Sequence, residues 1–286
     1  MLERVDRMQL AVADTARAEN TMEIMLGAQL ARRDSSQFLN ARRSVMTIGD
    51  SQLELCEPAG PGLTRTHLDN WGEGLMAAGF SVANLDQLCT RLDTKSAAYH
   101  RENQQVFIAP ELTAGLPMVI SKTTQRATVG PISYLYEETN TLDTDWRRAA
   151  DRYVDLFGLN PAQFSPIENS RFGYQGSLTL FNPPNRLDRI ELSQTFPDQP
   201  GAMRRFVERR GNSLYMCFVE AHDFPGLKNR LINAGASLTP RSGKLSTERD
   251  TVWVHPKNLH GMLLGISRPG FAWTWSGRPE LVPAVP

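Results

Sequence analysis

The chain is poor in the residue types that most often announce a chemistry. It has three cysteines and five histidines in 286 residues. No two cysteines have C-x-x-C spacing, and an odd number gives no disulfide framework. Cys56, Cys89 and Cys217 have apolar neighbours, as in LELCEP and LYMCFVE, the pattern of buried thiols in a reducing cytoplasm. Net charge is also lacking. Lys and Arg number 31 and Asp and Glu number 31, so no basic field draws the chain to nucleic acid. No stretch approaches the roughly 18 consecutive apolar residues of a membrane span. The N-terminus, MLERVDRMQL, carries charges where a signal peptide needs an apolar run. These absences set aside nucleic-acid, membrane and secreted classes and lead to the expectation of a cytoplasmic protein.

What the chain does contain is a core and a repeat. Hydrophobic residues make up 41%, and the length suits one large domain or two of about 140 residues. The strand pattern VDRMQLAVAD runs into an amphipathic helix, DTARAENTMEIMLGAQL, with Ala18, Met22, Met25 and Leu26 at helical spacing and Gly27 as its stop. Strands around SVMTIGD and QLELCEP follow, joined by a hairpin turn at Gly49-Asp50. The same order returns in LMAAGFSVANLDQLCTRLDTKSAAY with QQVFIAP and LPMVISK. It returns again from PISYLYEE to LDRIELSQ, and from NSLYMCFVE to GMLLGIS. An internal period constrains a fold more than any single element does. The expected fold is α+β: four βαβββ units, paired into curved mixed sheets around cups, with helices outside. The boundaries are a first module at 1–122, a linker in TTQRATVGP (123–131), a second module at 130–268 and an irregular tail at 269–286. The Pro- and Gly-rich tail is expected to pack Trp273 and Trp275 on a surface rather than form a site.

These motifs resemble the vicinal-oxygen-chelate superfamily of glyoxalases, epimerases and extradiol dioxygenases. VDRMQLAVAD is similar to its opening strand, QLELCEP to its "ELLEP" strand, GEGLMAAGFSVANLDQL to its second opening strand and VHPKNLHGMLLGISRP to its closing hairpin. The resemblance covers residues 3 to 268, and the doubled length resembles two-module extradiol dioxygenases. It implies a divalent metal in each working cup, with one ligand from each of four strands. The logic is physical as well, because alternate side chains let each strand aim one donor into the cup. In this sequence the four positions align with Arg7, Glu54, Ala77 and Val119 in the first half. In the second they align with Ser133 or Tyr134, Glu191, Tyr215 and Gly265. Ala, Val and Gly cannot ligate and Arg repels a cation, so no metal is assigned and no cofactor is named.

The candidate site residues follow from the same alignment. Glu54 and Glu191 occupy equivalent places in alternating strands, where a half-apolar cup would raise a carboxyl's pKa toward that of a general base. Each could instead face outward, or pair as Glu54 could with Arg7. Tyr134 and Tyr215 could donate to a ligand carbonyl or an enolate, or serve as core aromatics. Arg7 could clamp an anionic ligand group or lie on the surface. His255 and His260 could meet across the HPKNLHG turn, or merely flank it. His67, His100 and His222 are expected in solvent. The expectation is an enzyme of isomerase or lyase type acting next to a carbonyl, with Glu191, Tyr134 and Tyr215 as catalytic residues of the second cup. Glu54, Arg7, His255 and His260 are its ligand-binding candidates, and a homodimer is compatible. The alternatives are a ligand-sequestering protein and a divergent dioxygenase-like enzyme.

Overall fold

The computed structural model describes residues 1–241 and 249–284. The first unit is β1 (Leu2–Ala11), α1 (Thr15–Leu26), β2 (Gln29–Ser36), β3 (Ala41–Ile48) and β4 (Ser51–Pro58). Helix α2 (Leu63–Trp71) leads to the second: β5 (Gly74–Val82), α3 (Leu85–Thr94), β6 (His100–Glu102), β7 (Gln105–Ile108) and β8 (Met118–Lys122). The third is β9 (Ile132–Leu142), α4 (Trp146–Phe157), β10 (Ser165–Asn169), β11 (Tyr174–Leu180) and β12 (Arg189–Thr195). Helix α5 (Ala202–Arg210) precedes the fourth: β13 (Ser213–Ala221), α6 (Phe224–Asn233), β14 (Leu238–Pro240), β15 (Thr251–Val254) and β16 (Leu264–Ser267).

The expected four βαβββ units are therefore present. They form two eight-stranded sheets of identical order, β2-β3-β4-β1-β5-β8-β7-β6 and β10-β11-β12-β9-β13-β16-β15-β14. In each sheet the first strand lies parallel to the fourth and antiparallel to the fifth. Helices α2 and α5, which join units within each half, are additions to the expected pattern.

Local chemistry explains the elements. The Asp14 side chain accepts from the Arg17 amide to start α1, and Gly27 ends it at φ 69°, a left-handed turn that favours glycine. Ala18, Met22 and Leu26 place the buried stripe of α1 four residues apart. Along β1, Met8 and Leu10 enter the main apolar core, as does Val12 just beyond it, while Arg7, Gln9 and Ala11 face the first cup. Along β12, Ile190 and Leu192 enter the same core and Glu191 faces the opposite way. That core is continuous between the halves, with Met8 Sδ 3.5 Å from Cys217 Sγ. Polar ties add to it: the Val5 amide donates to Asp188 at 2.8 Å, and Arg91 donates to the Leu156 and Asp155 carbonyls at the end of α4. All three cysteines are free and buried. Among the described residues no helix is long and apolar enough to cross a membrane.

Candidate active site

The first cup is filled by its own side chains. Glu54 is fully buried, and Arg7 Nη1 and Gln105 Nε2 each donate to its Oε1 at 2.7 Å. Gln9 Nε2 donates to Oε2 at 2.7 Å and Arg43 Nη1 at 3.3 Å. Burial alone would push Glu54 upward; the Arg7 and Arg43 guanidinium groups overcome it and hold the carboxyl below its ordinary range. Arg7 also binds Asp6 at 2.7 Å. Its side chain lies across Gly79, where a Cβ would come within 1.9 Å of Arg7 Cγ. Phe107, Met76 and Val119 pack in the remaining space with Phe38 against them. Of the two readings open for Glu54 and Arg7, the structure gives the internal ion pair. Both are sealed from solvent, which removes Arg7 from the surface and leaves neither able to meet a ligand as it stands.

The second cup is open. A cavity of about 390 Å³ has Glu191 and Thr139 on its sheet wall, and Tyr215, His255 and Trp275 also line it. Glu191 is only 7% exposed. Its Oε1 accepts from Ser193 Oγ at 2.6 Å, and among the described residues no ion pair reaches it. Burial first, and the charge of Glu137 second, push its pKa up to about 8. Equivalent carboxylates have thus acquired opposite properties. Arginines surround Glu54, whereas the nearby Arg189 is bound to Glu137 at 2.7 Å and covered by Tyr136. Tyr174 also lines the cavity, and burial together with Glu191 raises its pKa, so the phenol keeps its proton. Burial does the same for Tyr215, whose ring meets Phe206 edge-on at 4.9 Å.

Strand pairing corrects the expected register. Glu54 lies beside Gln9 on β1, and Glu191 lies beside Thr139 on β9. The counterpart of Arg7 is therefore Glu137, not Ser133 or Tyr134. The first residues of β9 run past the cup, and bulges along its pairing with β13 shift the alignment. Tyr134 consequently lies outside the cavity, under the Arg186 guanidinium at 4.1 Å from its ring. On β13 the residue facing Thr139 is Met216, and Tyr215 falls within a bulge.

The histidines separate. His255 lies exposed at the cavity, its Nδ1 accepting from the Lys257 amide. His260 instead ties the halves together, with Nδ1 2.8 Å from Glu73 and Nε2 3.1 Å from Thr21 Oγ1. His100 is exposed and stacked on Phe38, and His222 is exposed. His67 is not solvated as expected: its Nε2 is buried without a partner, and burial, then Arg210, lowers its pKa to about 4. Trp275, expected on a surface, belongs to the cavity wall.

The side chains of the second cup do not suit a divalent metal. β13 offers Met216 and β16 offers Gly265, where a Cβ would meet the Phe218 ring at 2.1 Å. Glu137 is occupied by Arg189 and Thr139. Among the described residues no group of three or more His, Cys, Asp or Glu could hold an ion. A larger surface groove of about 710 Å³ beside His222 and Arg268 has no buried carboxyl in its lining, so the cup is the stronger candidate.

Two cups in paired βαβββ units define the class of fold. Residues 4–110 match the family model described as Glyoxalase/Bleomycin resistance protein/Dioxygenase superfamily. The match falls on the two βαβββ units of the first half, and the second half repeats their strand order. A substituted variant of 4-hydroxymandelate synthase from Streptomyces coelicolor superposes with a TM-score of 0.71 at 13% identity, over 93% of each chain. A xylose isomerase-like TIM barrel/4-hydroxyphenylpyruvate dioxygenase fusion protein superposes with a TM-score of 0.65 at 13% identity, over 94% of this chain and 49% of that one. At these identities the likeness is one of fold. No curated protein sequence matches the chain.

Proposed function

We propose that the protein is a small-molecule enzyme of isomerase or lyase type, whose second cup moves a proton next to a carbonyl with Glu191 as its acid–base residue and without a metal. The observation that carries this reading is a buried carboxyl in an open cavity, with no ion pair among the described residues and its pKa raised to about 8. A carboxyl tuned upward is a stronger base once ionised than an ordinary glutamate, and below its pKa it can return the proton. In the forward step the Glu191 carboxylate takes a proton from the carbon beside the carbonyl. The bonding pair moves into the carbonyl, leaving charge on its oxygen. Tyr174 and Tyr215, both protonated, are the donors available to that oxygen. Return of the proton to another position isomerises the substrate, and loss of a neighbouring group eliminates it. The first cup, sealed by the Glu54 cluster, serves as the structural partner within modules at 1–122 and 130–268. The three free, buried thiols support a cytoplasmic setting.

The cup's aromatic walls, and the want of a three-donor metal cluster among the described residues, also favour a second reading, a protein that sequesters its ligand. Solvent-proton exchange distinguishes the two. Wild-type protein in D2O, followed by NMR, is expected to exchange the methyl protons of acetophenone faster than buffer does. Glu191→Gln is expected to lose roughly 100-fold or more of that acceleration. Absence of acceleration in the wild type refutes the enzyme reading.

A further inference from the structure

An exchange of charge between neighbouring strands separates the two cups. In the first, Arg7 stands opposite Gln52 and Gln9 opposite Glu54; in the second, Glu137 stands opposite Arg189 and Thr139 opposite Glu191. The arginine has thus moved from the first strand of its unit to the fourth. There it lies two residues before the cup carboxyl and on the same face, the face along which Ser193 bonds to Glu191. What a guanidinium does at this level is seen in the first cup, where Arg7 crosses the diagonal and binds Glu54 at 2.7 Å. Arg189 is placed to do the same to Glu191, and a carboxylate paired in that way is a far weaker base.

Other groups hold Arg189 instead. Its Nε donates to Glu137 Oε2 at 2.8 Å, and Nη2 lies 2.7 Å from the same oxygen. Nη1 donates to Ser276 Oγ in the tail at 2.9 Å, and the Tyr136 ring centre lies 4.8 Å from the guanidinium carbon. Thr139 Oγ1 donates to the other Glu137 oxygen at 3.1 Å, so both oxygens of that acid are fixed. Arg189 and Glu137 are both fully buried, and a guanidinium so placed is costly to leave without an acid. Nη2 makes no aligned hydrogen bond, which leaves it a donor to turn toward a second carboxylate.

We propose that Glu137 is the positioning residue of the second cup: by holding Arg189 against the tail, it keeps the guanidinium off Glu191 and leaves that carboxyl available to a ligand. The proposal rests on the reading of Glu191 as the acid–base residue for its consequence, not for its geometry. Other groups also act on Glu191. Ser193 donates to it, and Tyr174 on β11 and Tyr215 on β13 share its cavity. Arg171, Arg241 and His255 line that cavity from beyond the sheet. Substitutions at 137 and 189 leave all of these in place, so a change between variants belongs to the pair.

The test is the titration of Glu191 by carboxyl 13C NMR, its signal assigned from Glu191→Gln, beside acetophenone exchange in D2O. In Glu137→Gln the Glu191 midpoint is expected to fall by roughly 1–3 pH units as Arg189 turns to it, and exchange to fall at least about tenfold. Adding Arg189→Gln is expected to return the midpoint to within about half a unit of wild type and to recover most of the exchange. If Glu137→Gln does not fold, Glu137→Asp takes its place, with a downward shift of about half a unit or more, because the shorter acid cannot hold Nε and Nη2 together. A midpoint unmoved in the variant that folds, or one that stays low after Arg189→Gln is added, overturns the proposal. The two claims fail separately. A shifted midpoint without exchange in the wild type sinks the enzyme reading alone, and wild-type exchange with an unmoved midpoint sinks this one alone.

Discussion

Replacing Glu54 with alanine should strongly destabilise the fold. The carboxylate is fully buried and accepts from Arg7, Gln9, Arg43 and Gln105. Removing it takes their shared acceptor from two guanidinium groups that burial has already removed from water, Arg7 at 3% and Arg43 at 5% exposure, leaving Arg7 with Asp6 and Arg43 with Asp34. Breaking a buried pair from one side costs about 3–5 kcal/mol where the remaining charge is left uncompensated, and Asp6 and Asp34 offset part of that here. Two amides also lose an acceptor, at about 1–3 kcal/mol each where no water replaces it, but these terms share one relaxation and do not add fully. A loss of about 4 kcal/mol is expected from urea denaturation followed by circular dichroism at pH 7. Arg7→Met with Glu54→Met should recover part of it, since the Arg7 charge goes too, while Arg43 keeps Asp34 and Asp6 keeps Arg126. The acid limb supplies a sign. Glu54's pKa is lowered in the fold, so its stabilisation is present above the unfolded value and is lost as pH falls through the folded one. Glu54→Gln should flatten that limb. A Glu54→Ala protein within about 1 kcal/mol of wild type would refute this account of the first cup.

Three further outcomes are expected. Glu138 is fully buried, neither carboxyl oxygen has a hydrogen-bond partner, and burial raises its pKa well above the ordinary value; Glu138→Met, matching Met8 of the first half, should raise stability by about 1–3 kcal/mol in urea at pH 7, and a loss would contradict it. Glu138 and Glu191 are both raised, so their contribution is intact below the unfolded carboxyl pKa and declines as pH rises, for Glu191 through about 8; thermal melts from pH 6 to pH 9 should fall in the wild type and fall less in Glu138→Met. Tyr134 lies outside the cavity and Tyr174 within it, so NMR should find acetophenone exchange within about twofold of wild type in Tyr134→Phe and roughly 100-fold slower in Tyr174→Phe.

The fold was legible because its signals are periodic. Ala18, Met22 and Leu26 mark one helix face, and Ile190 and Leu192 bracket Glu191 on a strand. Helices α2 and α5 escaped because each is only nine residues long and mostly polar. A signal for them existed: Pro61-Gly62 to Gly72 and Pro200-Gly201 to Gly211 repeat the same punctuation at the same spacing. The site was legible in part. Alternation aimed Glu191 and Tyr215 at one cavity, but bulges between β9 and β13 have no sequence signature, so Tyr134 was placed too early on its strand and Glu137 was passed over. Arg241, Trp253 and Trp275 come from an edge hairpin and the tail, and only tertiary structure gathers them.

The most direct test of the account is the pH profile of acetophenone exchange in wild type and Glu191→Gln. The account predicts acceleration that rises with pH, is half-maximal near pH 8 and levels off above it in the wild type, and a flat profile roughly 100-fold lower in the variant. Wild-type acceleration that survives Glu191→Gln with its pH dependence unchanged would contradict the assignment of Glu191 as the acid–base residue.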